Sequence, residues 1–95
     1  MTRLTEVYAL PLQSDRKFGL REVFINPASV SMIRSEPTMQ MYLAEGRLPE
    51  GMDERIEFSR ITTSSNGSYS ASVIVIGAPQ AIDQKLNETK QLLKG

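Results

Sequence analysis

The chain of 95 residues contains no cysteine, no histidine and no tryptophan. The first two absences exclude disulfides, thiolate and imidazole metal ligands, cysteine nucleophiles and histidine acid–base catalysis. No apolar run approaches the roughly 20 residues that span a bilayer, and the N-terminus lacks the basic-then-apolar layout of a signal peptide. We therefore expect a cytoplasmic, non-enzymatic protein with no membrane partner, no catalytic residues, no metal and no cofactor.

The chain also has no net charge, since eleven basic side chains balance eleven acidic ones. The charges are unevenly placed, because segment 36–57 holds six acids and only two arginines. A neutral total argues against tight, indiscriminate phosphate binding, while the asymmetry leaves room for a modest basic surface elsewhere. The acidic segment is interpreted as a solvated excursion, with mimicry of nucleic-acid charge as the alternative.

Residues 1–95 are expected to form one domain, near the lower size limit of a stable single core. The run 73–76 is apolar on both alternating faces, which is typical of a central strand covered on both sides. A strand over 56–63 precedes it, and Asn66-Gly67 between them suits a type I′ turn. After the run, Gly77-Ala78-Pro79 ends the strand and begins an amphipathic helix.

Upstream, the pattern predicts strands over 3–12, 18–26 and 30–34, with a turn at Asn26-Pro27. The spacing of Met39, Tyr42 and Leu43 favours a short helix around 37–46, although alternation of Met39, Met41 and Leu43 would also fit a strand. The expected fold class is α+β: an antiparallel sheet of four to five strands, one C-terminal amphipathic helix and a short helical insertion around 37–46.

Some of these segments resemble a known family. Val23-Phe-Ile-Asn-Pro27, followed by Val30 and Ile33, and then 66–67 and 73–86, resembles the FlbD-like proteins associated with bacterial flagellar operons. Relative to that pattern, the acidic segment is an insertion. The combination of 21–27, 48–51, 75–79 and 91–95 is similar to small proteins of tailed bacterial viruses. The resemblance implies no enzymatic activity and supplies no catalytic residues; for a viral protein, the expected location is the host cell cytoplasm.

Two features of the sequence are candidate sites for small ligands. Asp53-Glu54, with Glu50 and Glu57, is the main carboxylate cluster, and a divalent cation site there is the alternative to a solvated acidic loop. Residues 77–80 could offer backbone N–H groups to an anion at the helix start, although proline at 79 removes one donor. Neither feature indicates an enzyme.

A sheet with its helix on one face leaves the other face open, as in proteins that bind single-stranded nucleic acid through bases and aromatic rings. Whirly-type single-stranded DNA binders offer a fold-level analogy. Arg21 and Phe24 lie on opposite parities, so both cannot belong to one flat face. The candidate nucleic-acid-binding residues are Arg16, Lys17, Arg21, Arg34, Phe58, Arg60 and Tyr69.

The uncovered apolar surface also predicts a homo-oligomer, with an interface on the helix stripe of Ile82, Leu86 and Leu93. The leading hypothesis is a small non-enzymatic phage accessory protein that binds single-stranded DNA in viral transcription or replication, for example as a cofactor of a host or viral RNA polymerase. The alternative is a protein-binding adaptor, or an inhibitor of a host factor, with no affinity for nucleic acid.

Overall fold

The computed structural model describes residues 1–11, 17–65 and 69–94. For residues 65, 69 and 90–94 it describes the backbone only. These residues form an antiparallel sheet with two α-helices, which confirms the predicted α+β class with its C-terminal helix. The elements in chain order are β1 (Thr2–Ala9), β2 (Phe18–Ile25), a 3₁₀ turn (Pro27–Ser29), β3 (Val30–Ser35), α1 (Pro37–Ala44), β4 (Phe58–Ser65), β5 (Tyr69–Ile76) and α2 (Pro79–Lys94).

The spatial order of the strands is β2-β1-β5-β4-β3. β1 and β2 form one hairpin, and β3, β4 and β5 form a meander, all antiparallel. The two units join where Glu6 lies opposite Val75 and Val7 lies opposite Ile74. β5 is therefore the central strand that its two-sided apolar pattern predicts. The predicted Asn66-Gly67 turn lies outside the described residues.

One face of the sheet packs against α2. Ile82 and Leu86 point from the helix into a core that includes Ile61 and Val75 of the central strands. At the far end of the helix, the Thr2 hydroxyl donates a 2.7 Å hydrogen bond to the Thr89 hydroxyl. The amphipathic period of the sequence thus places α2 across the sheet as expected.

The direction of α2 is set at Gly77, which has a φ of 133°. Its N–H donates to the Glu57 carbonyl at 2.8 Å, and its own carbonyl accepts a 2.6 Å bond from the Ser59 hydroxyl. A Cβ at this position would lie 2.8 Å from Cδ1 of Ile82. Glycine is required here both by the backbone conformation and by the close approach of the helix.

The opposite face is covered by α1 and the irregular chain that follows it; we call residues 36–57 the lid. Met39 and Leu48 of the lid are buried against Val7 and Phe58 of the sheet. The lid reaches across to β2, where the Phe18 N–H donates to the Arg47 carbonyl at 3.1 Å. The prediction of a solvated excursion is wrong for these apolar residues, because the segment supplies part of the core.

The helical alternative for the insertion is confirmed, with α1 ending at Ala44. The Asn26-Pro27 turn is also as expected, since the Asn26 side chain accepts a 3.1 Å bond from the Ala28 N–H. The lid covers much of the second apolar face from within the chain, where the sequence predicts contact with a second molecule.

Candidate functional site

The structure separates the predicted nucleic-acid-binding residues. Arg16 lies outside the described residues, and Tyr69 begins β5 with its side chain left undescribed. Phe58 is only 1% exposed and packs beneath the lid. Its assignment as a base-stacking residue is therefore wrong, because stacking on a base requires an open ring face.

Arg21 lies on the α2 side of the sheet, where its Nε donates to the Glu6 carboxylate at 2.9 Å. Its guanidinium also lies 4.3 Å from the centre of the Tyr8 ring. The hydrogen bond that Arg21 donates to the Glu6 carboxylate raises the pKa of Arg21 above its ordinary value. Phe24 lies on the other face, as the parity argument predicted.

Arg34 and Arg60 do lie together, directly opposite each other on β3 and β4. Arg60 is engaged, since its Nε donates to Glu36 at 3.0 Å and its Nη1 donates to the Ser72 hydroxyl at 3.1 Å. Lys17 is exposed at the start of β2, on the opposite edge of the sheet. The described cations are thus dispersed over both faces and both edges.

The predicted oligomer interface is also wrong for the two residues whose side chains are described. Ile82 and Leu86 are 2% and 3% exposed and belong to the core of their own chain. A second copy could not contact them without displacing α2 from the sheet. The side chain of Leu93 lies outside the described set.

In the predicted carboxylate cluster around Asp53, the Asp53 side chain forms an exposed ion pair with Arg55. Asp53 accepts hydrogen bonds from the backbone and the guanidinium of Arg55, and these lower the pKa of Asp53. Among the described side chains, no group of three or more possible ligands is placed to hold a metal ion. At the start of α2, the suggested anion site has Glu57 and Asp83 beside it, and their charges oppose an anion.

An open groove of about 690 Å³ lies between β3 and the N-terminal turns of α2. β3 is an outer strand of the described sheet. The Glu36 N–H donates to the Phe58 carbonyl at 2.9 Å. This bond shows which opposing residues of β3 and β4 are hydrogen-bonded to each other and which are not. Because bonding alternates along an antiparallel pair, the backbone N–H and C=O groups of Ile33 and Ser35 point outward, along the groove.

The groove is lined by both apolar and acidic residues. Val30 and Ile33 line it from the strand, and Pro79 lines it from the helix. Glu57 and Asp83 are its charged lining residues. A bulge between Val30 and Met32 interrupts the ladder, so the regular open edge is short. The groove could hold one extended chain against β3, with α2 as its second wall.

Sequence reasoning missed this groove. The sequence predicts a strand over 30–34 and a helix that begins near Pro79, but the proximity of the two elements depends on the strand order. The alternation of apolar residues does not specify which strand lies at the edge. A short strand with serines at 31 and 35 was the available signal, since edge strands are often short and polar.

Comparisons with protein-family models, with curated proteins and with solved structures found no match to this chain. The FlbD-like and phage resemblances therefore remain predictions. Among the described residues, no helix has the length and apolar character needed to cross a membrane.

Proposed function

We propose that this protein is a non-enzymatic protein-binding module that takes an extended segment of a partner protein beside β3. The observation that carries the proposal is the open edge of β3, where Ile33 and Ser35 direct backbone donors and acceptors into a groove walled by α2. This is the adaptor alternative of the sequence analysis, given a specific binding surface.

Strand addition supplies both affinity and selectivity. The added backbone would form the ladder bonds that β3 leaves open, each contributing about 0.5–1.5 kcal/mol net. Alternate side chains of the bound segment would face α2 and bury against Ile33 and Pro79, so the groove would select among sequences.

Binding of single-stranded DNA is less well supported by the arrangement of charges. Of the candidate residues, Arg21 and Arg60 already engage carboxylates, and Phe58 is buried. The remaining described candidates, Lys17 and Arg34, lie on opposite edges of the sheet. A groove with carboxylates along its wall would repel a phosphate backbone.

Substitution at Ser35 tests the proposal, because its N–H points away from β4. Ser35→Pro removes the outward donor and leaves the ladder to β4 intact, since proline is tolerated where the N–H of an edge strand faces outward. Ser35→Ala is the matched control, because it removes the hydroxyl and retains the donor. Displayed random peptides selected on the wild-type protein should bind Ser35→Ala normally and Ser35→Pro about tenfold more weakly, by calorimetry.

The second arm uses labelled single- and double-stranded oligonucleotides in a salt series, followed by fluorescence anisotropy. We expect no salt-dependent binding near neutral pH. Oligonucleotide binding that weakens with salt, and that is lost on charge reversal at Lys17 and Arg60 and unaffected by Ser35→Pro, would overturn the proposal in favour of nucleic-acid binding. The proposal would also be overturned if every selected peptide bound Ser35→Pro and Ser35→Ala equally well.

A further inference from the structure

We infer that the segment bound beside β3 is basic, and that it places a lysine or arginine side chain against Glu57 and Asp83. The inference rests on the proposed function and adds the chemistry of the partner. It follows from the sign of the charges on the groove wall and from their lack of partners within the described chain.

Glu57 and Asp83 differ from half of the ten described carboxylates. Neither has an ion-pair partner among the described side chains, although both are exposed. Five other carboxylates are each paired with an arginine: Glu6, Glu22, Glu36, Glu45 and Asp53. The chain thus neutralises many of its acids internally and leaves these two uncompensated beside the open strand edge.

The two carboxylates are held on separate, well-positioned elements. The Glu57 carbonyl accepts the Gly77 N–H, so the backbone at the end of the lid is tied to the joint before α2. Asp83 lies about one turn into the same helix, beyond Pro79. The cost of placing two negative charges beside one groove is lowered when a cation lies between them.

The two ends of the groove also carry different residues. Ser35 lies opposite Ser59 in the register of β3 and β4, so Glu57 belongs to the Ser35 end of the groove. Val30 and Ile33 make the other end apolar. A complementary segment therefore has an apolar residue near Val30 and a cationic residue near Ser35. A terminal carboxylate or a phosphorylated residue at the Ser35 end would meet like charge.

The test uses a displayed library of random peptides, selected in parallel on three proteins. The groove variant is Glu57→Gln/Asp83→Asn, and the control is Glu54→Gln/Glu88→Gln, which removes the same charge from exposed positions that do not line the groove. Lysine and arginine should be enriched in peptides selected on the wild-type protein and on the control. That enrichment should be absent on the groove variant.

A selected peptide is then resynthesised with its basic residue replaced by glutamine. We expect the replacement to weaken binding about fivefold to the wild-type protein and to leave binding to the groove variant unchanged, as for a partly exposed ion pair. Peptides that require the Ser35 N–H but show no basic enrichment would refute this inference and leave strand addition standing. If no selected peptide depends on that N–H, strand addition itself fails.

Discussion

The two faces of the sheet are covered in different ways. On one face, α2 contributes a regular stripe in which Ile82 and Leu86 are both buried. On the other face, the lid contributes Met39, Tyr42 and Leu43 from one side of the short helix α1, while Met41 on its other side is exposed. Leu48, only 2% exposed, is in neither a helix nor a strand. Part of a covering layer, here Leu48, can therefore belong to the core without a periodic sequence around it.

The largest effect is expected at the lid face. Phe58→Ala should lower the free energy of unfolding by about 3–5 kcal/mol, because it removes a buried ring and leaves a cavity beneath the lid. Phe24→Ala, at a position that is 58% exposed, is the matched control and should change it by less than about 0.5 kcal/mol. Urea denaturation measures both. Equal effects would mean that the lid does not shield its face.

We expect the lid and α2 to differ in how much of the chain unfolds when each layer is weakened. Leu48→Ala and Leu86→Ala should each cost about 2–5 kcal/mol, since both side chains are buried. In hydrogen exchange, Leu48→Ala should deprotect α1 more than the central strands, because the lid can open locally. Leu86→Ala should lower protection across β1, β4 and β5. Uniform deprotection by both variants would show that the two layers unfold as one unit.

Glycine substitutions compare the two layers through smaller changes in the free energy of unfolding. Gly77→Ala should cost about 1–3 kcal/mol, because alanine is strained at positive φ and its Cβ would lie 2.8 Å from Ile82. Gly51→Ala in the lid also has a positive φ, of 88°, but no atom lies within 4 Å of the added Cβ. We expect it to cost only the backbone term, about 1 kcal/mol. A larger loss at Gly51 in thermal unfolding would contradict this order.

The smallest effect concerns Asp53 and Arg55 on the outside of the lid. Because Arg55 lowers the pKa of Asp53, Arg55→Gln should raise that pKa toward its ordinary value in an NMR titration. A lowered pKa in the folded state contributes stability above the unfolded pKa, and this contribution is lost as the pH falls through the folded pKa. Since both groups are exposed, we expect no measurable change in unfolding at neutral pH. An unchanged Asp53 titration would show that the pair does not persist in solution.

Local signals predicted the elements well. The two-sided apolar run 73–76 identified the central strand, and the Ile82–Leu86 spacing identified α2. The same spacing also suggests an oligomer interface, whereas Ile82 and Leu86 form the helix's contact with the core of its own chain. Periodicity shows that a stripe is buried, and it does not show which surface buries it.

Local sequence patterns could not predict the candidate site beside β3. The open edge of β3 exists because β5 pairs with β1, which leaves β3 outermost. Phe58 and Arg60 share a parity, yet the lid buries the first and leaves the second partly exposed. That difference arises from contacts between distant segments, and a period of two along a strand carries no information about them.

The pairing of Glu6 with Val75 has a kinetic consequence. The first hairpin and the meander each form from contacts between neighbouring segments, whereas their junction joins the first strand to the last. Closing so long a loop costs entropy before the junction contributes contacts, and folding slows as contacts become more distant in sequence. We therefore expect the two units to form early and the β1–β5 seam to close late. Until it closes, the inner edge of β5 is open to pairing with another chain.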